Sequence, residues 1–208
     1  IKNPVNIGLT RSLIRGMEFC EGIYIARQDA DDYSSCNRIS VQVNHLQKHQ
    51  QICLLGTAYI LENEVLGSKS FQSHSLQHDA IIQDLYSINP FCHTSVMFTK
   101  RHYFEAGGYD KEFRTSQDFD LWFRMAKIGR VGNLPCALVT RRLTNKSLSS
   151  NFGRAFEQVN NGLRVRLREK EMYNGRLFYL NIFYIYTRSL IITIYLQIIT
   201  KLTIKKIL

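Results

Sequence analysis

Hydrophobic and polar positions along this chain switch between two periods, and each switch marks a change of element. Gly22 to Arg27 is a short β-rich run ending in the acidic cluster Asp29-Ala30-Asp31-Asp32, the pattern of a buried strand that delivers polar groups to a sheet edge. From Asn37 to Gln50, Ile39, Val43 and Leu46 recur at helical spacing, and Gln51 to Leu61 then reads as an apolar strand with Gly56 inside it. Asn63 to Gly67 supplies a turn. His74 to Tyr86 predicts a helix, Thr94 to Phe98 a strand after Pro90, and Arg101 to Ala106 a short helix stopped by Gly107-Gly108. Beyond a loop, Asp118 to Ile128 carries Leu121, Trp122, Met125 and Ile128 on one stripe and stops at Gly129; its acidic first turn suits the helix dipole. Two short strands are expected on either side of Pro135.

Strands alternating with helices over about 140 residues predict an α/β fold with a mostly parallel sheet, whose ligands bind beyond the carboxyl ends of the strands. The acidic cluster lies at such an end. After Ser149-Ser150-Asn151 the composition changes: Phe152 to Tyr173 reads as a charged helix, and Leu177 to Ile207 is rich in Ile, Leu, Tyr and Phe. The expected organisation is one domain over residues 1–150 and a helical, basic and apolar tail over 151–208.

The tail changes how the charge is read. The formal net charge is +10, but Arg164 to Leu208 holds nine basic residues against Glu169 and Glu171, seven of the ten net charges. Basic residues clustered in an apolar helix do not make the interleaved basic and aromatic sheet face of a nucleic-acid binder, so nucleic acid is not expected as a partner. Within Leu177 to Ile199, Asn181, Arg188 and Gln197 interrupt the apolar run, and a central Arg costs about 2.5–3.5 kcal/mol in lipid. A helix lying on an anionic membrane surface is the expectation for this segment rather than a span, with a helix packed within the domain or docked against another subunit as the alternative. Cys20, Cys36, Cys53, Cys92 and Cys136 are odd in number and lack the paired spacing of a zinc site, so they read as reduced thiols of a cytoplasmic protein. The chain opens at Ile1 without Met or a signal core and reads as beginning inside a longer frame.

Two constellations carry chemistry. Asp29, Asp31 and Asp32 crowd three carboxylates into four residues, a costly arrangement unless a cation sits among them; hard oxygen ligands suit Mg²⁺ or Mn²⁺, which complete their shells with substrate phosphates. A solvated acidic turn before the next helix is the plainer alternative. The second constellation is Asn89-Pro90-Phe91-Cys92-His93-Thr94-Ser95-Val96-Met97-Phe98, then Gly107-Gly108-Tyr109-Asp110, then Ser116-Gln117-Asp118-Phe119-Asp120-Leu121-Trp122. Asp118 at a helix start can serve as a general base, Trp122 one turn later can stack on a sugar, and His93 can line the same cleft; taken singly, an acidic first turn, a core tryptophan and a satisfied buried histidine are the plainer alternatives.

In this order the segments resemble family 2 glycosyltransferases of the GT-A fold, whose pattern runs G-x-Y-I-x-x-x-D-x-D-D, H-x-S-x-x-F, G-G-Y-D and E-D-x-D-L-W. The likeness covers roughly residues 3 to 145. Asn6-x-Gly8-Leu9-Thr10-Arg11-Ser12-Leu13 is similar to the family segment beside the diphosphate, which brings Arg11 to the donor side; Arg27 accompanies the strand end there. The resemblance implies a GT-A-like, Rossmann-like sheet flanked by helices. It also implies an inverting, metal-dependent transfer of a sugar from a nucleotide-sugar donor to a saccharide or lipid-linked acceptor, in surface polysaccharide biosynthesis at the inner face of the plasma membrane. Asp29 and Asp31 would hold the metal and donor with support from Asp32, Asp118 would deprotonate the acceptor, and His93, Trp122 and Gln117 would border it. Gln117 stands where the family usually has glutamate. The family's opening V-I-I-P-x-Y-N strand and D-D-x-S strand end do not occur here, a difference of roughly 70–80 residues or two βα units. Incomplete donor binding is expected of this chain, and a non-catalytic sugar- or membrane-docking remnant is the alternative.

Overall fold

The computed structural model describes residues 1–64, 66–144, 152–170 and 187. The chain divides into two compact units, Ile1–Leu148 and Ser149–Leu208. In the first, the elements run α1 (Leu9–Glu18), β1 (Tyr24–Ala26), β2 (Tyr33–Ser34), α2 (Arg38–Lys48), β3 (Ile52–Asn63), β4 (Ser68–Gln72), α3 (His78–Asp84), β5 (Met97–Thr99), α4 (Lys100–Glu105), α5 (Gln117–Ile128) and β6 (Arg130–Leu143). In the second, α6 (Phe152–Arg168) is described. The apolar stretch from Leu177 to Ile207 lies outside the described residues apart from Thr187, and among those described no helix is long and apolar enough to cross a membrane.

The strands form one mixed sheet in the order β1-β5-β3-β6-β2, with β4 paired to β3. The expected predominance of parallel pairing does not hold. Among the described residues only β3 and β6 run parallel, while β1–β5, β3–β5, β3–β4 and β2–β6 are antiparallel. Chain connection explains the difference. The turn from Asn63 to Ser68 is too short for anything but a hairpin, whereas the excursion through α3, β5, α4 and α5 is long enough to return β6 parallel to β3.

β6 is also one strand of 14 residues rather than two short ones. Its pairing with β3 steps from Thr57–Leu134 to Ala58–Ala137, so Pro135 and Cys136 are looped out and exposed. A bulge is where a sheet tolerates proline, because no ladder N–H is asked of it there.

Two sets of apolar side chains form the core. Leu46 of α2 joins Leu55 of β3, Met97 of β5, and Leu134 and Leu138 of β6. α5 supplies the other set: Phe119, Leu121, Trp122, Phe123, Met125 and Ala126 are all buried, so the helix turns a broad apolar face into the core. Ile128, expected on its buried stripe, is instead partly exposed beside Gly129 at the helix end. Burying each large side chain of this set contributes about 1.5–3 kcal/mol.

Candidate active site

The loop from Arg27 to Ser34 is built on a buried arginine. Arg38, 1% exposed in the first turn of α2, donates to Arg27 O (2.8 Å), Val96 O (3.1 Å), Gln42 Oε1 (3.0 Å) and Ser34 Oγ (2.9 Å). No carboxylate pairs with it among the described residues, and burial lowers its pKa to about 10, so it stays charged at neutral pH and spends its donors on backbone and amide oxygens. The sequence pattern offered no sign of this role, because an arginine opening a helix is ordinarily solvated.

On that platform the three carboxylates take different positions, with ligand oxygens all within 4.8 Å of one another. Asp29 receives both terminal nitrogens of the buried Arg27 in a bidentate ion pair, and its backbone N–H donates to Thr94 Oγ1 (3.0 Å). Asp32 is buried, and its Oδ1 accepts the backbone N–H of Arg142 (2.9 Å). Asp31 is exposed and makes no hydrogen bond among the described residues. Two carboxylates are thus fixed by the protein and the third is open. Three hard oxygen donors at this separation, one of them free, fit a divalent cation such as Mg²⁺ or Mn²⁺. Arg27 is therefore engaged with Asp29, and Arg11 is exposed on α1 without an ion-pair partner among the described residues.

Opposite this turn, a single 3₁₀ turn, His93–Ser95, gives each side chain a separate task. Ser95 Oγ accepts from Thr57 N (3.2 Å) and fastens the turn to β3; Thr94 holds Asp29; His93 projects to Tyr109, with Nε2 and the phenol oxygen 3.1 Å apart. Tyr109 follows Gly107 and Gly108, both at positive φ, and its N–H donates to Tyr103 Oη (3.2 Å). The Gly108 position leaves no space for a side chain, since a Cβ there would sit 2.9 Å from the Tyr103 ring.

Asp118 lies in the first turn of α5, partly exposed, where Asn89 Nδ2 donates to its Oδ2 (2.8 Å); Oδ1 takes no partner among the described residues. The residue just before the helix, Ser116, has φ 60°, a left-handed conformation that costs a serine energy and bends the chain into α5. Thr10 of α1 donates to Phe113 O (2.7 Å), so the family-like segment around Arg11 is tied to the loop that precedes Asp118.

Electrostatics connect the two sides. His93 is held well below its ordinary value, chiefly by burial, with Asp118 and Asp29 opposing that shift and Arg27 adding to it. The Tyr109 hydroxyl is pushed up by burial and feels the same three charges. The imidazole is therefore neutral at pH 7, and both rings feel the charges of the acidic turn and of Asp118.

Two expected acceptor contacts are placed otherwise. Trp122 is 0% exposed, packed against Phe91, His93 and Phe98, and leaves no face on which a sugar could stack; its ring, 5.8 Å from that of His93, backs the histidine instead. The periodicity had already put it on the core stripe. Gln117 is likewise buried, 4% exposed. The residues not singled out from sequence are Arg38, Asn89, Thr94 and Tyr109; the last three lay inside the quoted motifs, but nothing in spacing alone assigned them partners.

Comparison with known proteins accords with this arrangement. The amylovoran biosynthesis glycosyltransferase AmsE of Erwinia amylovora is 29% identical over 180 residues, 84% of this chain and 66% of that protein. Two solved structures share the fold: TarS residues 1–349 of S. aureus, with TM-score 0.56 and 13% identity over 80% of this chain and 48% of that one, and the mannosyltransferase PcManGT of Pyrobaculum calidifontis, with TM-score 0.55 and 9% identity over 91% and 51%. The chain thus spans about half to two thirds of the length of these proteins. Residues 3–177 match the family described as glycosyltransferase like family 2, and the chain, with its GT-A-type α/β fold, belongs to that family.

Proposed function

We propose that this chain carries the metal- and acceptor-side groups of an inverting glycosyltransferase that uses a nucleotide-sugar donor and a saccharide or lipid-linked acceptor in polysaccharide biosynthesis, at the cytoplasmic face of the membrane. The observation that carries the reading is the segment from Asn89 to Thr94, whose Asn89 Nδ2 donates to Asp118 Oδ2 (2.8 Å) and whose Thr94 Oγ1 accepts from the Asp29 backbone N–H (3.0 Å). A leaving group and a base need to share one cleft for in-line displacement, and a six-residue segment joined to both aspartates supports that arrangement. The relative AmsE is named for amylovoran biosynthesis, and PcManGT was solved with GDP-Man and Mn²⁺, which supports the donor class and the cation.

In this mechanism Asp31, with Asp29, would hold Mg²⁺ or Mn²⁺, which would supply positive charge to neutralise the leaving diphosphate. Asp32 supports the turn through the Arg142 N–H. The free Oδ1 of Asp118 takes the proton from the acceptor hydroxyl as it attacks the anomeric carbon, and configuration there is inverted.

The test is release of nucleoside diphosphate from a panel of UDP- and GDP-sugars with Mn²⁺, in the presence of membrane lipid-linked and free saccharide acceptors. Metal-dependent release, lost by at least about a hundredfold in Asp31→Asn and Asp118→Asn, is the expected result. Donor binding with no release under any condition would instead favour a docking module, a reading that the buried Gln117 in place of a carboxylate also motivates.

A further inference from the structure

Asn89 is joined to the site by two contacts that fix its amide in one sense. Its Oδ1 accepts the backbone N–H of Phe91 (3.2 Å), so the NH₂ end must point the other way, and there Nδ2 donates to Asp118 Oδ2 (2.8 Å). Pro90 lies between the two anchored residues and restricts the chain, and its carbonyl accepts from the buried Asn133 (3.0 Å), so the loop carrying Asn89 is itself held to β6. A carboxylate in the first turn of a helix can rotate about its terminal torsion through a broad range. Here one oxygen is occupied by a neutral donor and the other is left for a proton.

We infer that Asn89 is a positioning residue for the transfer reaction: its amide holds the Asp118 carboxylate in the orientation that presents Oδ1 to the acceptor hydroxyl. This rests on the reading of Asp118 as the base. A carboxylate presented with the wrong oxygen or plane cannot meet an incoming hydroxyl within hydrogen-bond reach, and errors of about 1 Å cost on the order of a hundredfold in rate.

The informative variant is Asn89→Asp. A carboxylate keeps the acceptor for Phe91 N–H and so preserves the turn, but it replaces the donor facing Asp118 with a like charge. The expected result in the diphosphate-release assay is a fall in kcat of tenfold or more, with the donor KM within about twofold and the melting temperature unchanged. Asn89→Ser, whose hydroxyl can cap the same turn without reaching Asp118, is expected to lose kcat as well. Wild-type kcat in either folded variant overturns the inference. Asp118→Asn separates the two claims: if it remains active, the base reading fails; if it is inactive while Asn89→Asp is not impaired, only the positioning role fails. A readout free of substrate is the side-chain amide resonance of Asn89 in ¹⁵N-labelled protein, which is expected to move in Asp118→Asn; a resonance left in place would show that the contact is not made.

Discussion

Gly56 lies in the middle of β3 under the loop that carries Asn89 and His93, and replacing it with alanine joins fold stability to the site. A Cβ at this position would stand 2.1 Å from Asn133 Oδ1 and 2.8 Å from Phe91 Cδ1, distances that no packed side chains sustain. Asn133 must rotate to make room. In doing so it gives up its donations to Ser75 O (2.8 Å) and Pro90 O (3.0 Å), two hydrogen bonds that pin the segments before and after α3. Overpacking costs about 1–3 kcal/mol and each lost hydrogen bond about 0.5–1.5, which together give about 2–6 kcal/mol. Against a usual stability of about 5–15 kcal/mol that is a large fraction. The assay is the urea midpoint of Gly56→Ala, read with Asn133→Ala and the double variant. If the clash with the asparagine is the cause, the alanine at 56 should cost at least about 1 kcal/mol less when position 133 is already truncated. Additive effects, or a Gly56→Ala midpoint within the error of wild type, would refute the reasoning.

Thiol labelling at pH 8 should divide the cysteines by environment. Cys36 and Cys136 are exposed and should react within minutes, whereas Cys53 and Cys92 are buried, with pKa values pushed up by burial to about 12 and about 11, and should react only on unfolding; fast labelling of either buried thiol would contradict the packing. Acid should destabilise the protein early. His45, His74, His78 and His93 are each lowered from 6.5, chiefly by burial, so the unfolded chain binds the extra protons; stability is fully present above pH 6.5 and is lost as pH falls toward the folded values. Melting temperatures at pH 7.5, 6 and 5 should therefore decline in that order, less steeply in His93→Gln, and a flat profile would count against these burials.

Much of the architecture was written in periodicity. The spacing of Ile39, Val43 and Leu46 located α2, although Ile39 proves exposed and the helix buries Arg38, Gln42 and Leu46 instead, and the apolar run from Gln51 located β3, which buries one continuous surface. β4 escaped notice because Ser68–Gln72 is polar and exposed, a strand only by virtue of its hairpin with β3. Strand direction was not legible either, since alternation of strands and helices fixes the layers but not which neighbours pair. At the site, the motifs named Asp29, Asp31, Asp32, His93 and Asp118, and the structure joins Asp29 and Asp118 to the one segment from Asn89 to Thr94. What the motifs could not convey is how these groups are held. The pairing of Arg27 with Asp29 and the burial of Trp122 depend on residues far apart in sequence, and a stripe that reads as both core and sugar platform is resolved only by what packs on it.

The bond from the Arg142 N–H to Asp32 joins positions 110 residues apart, and the one from Thr10 to Phe113 spans 103. During synthesis, then, the acidic turn emerges from the ribosome long before its fastening strand exists. It must wait, unfinished, until nearly the whole first unit has been made. The cation affinity proposed for this turn should consequently appear late and all at once in refolding, and a chain cut before residue 142 should lack it even though every aspartate is present.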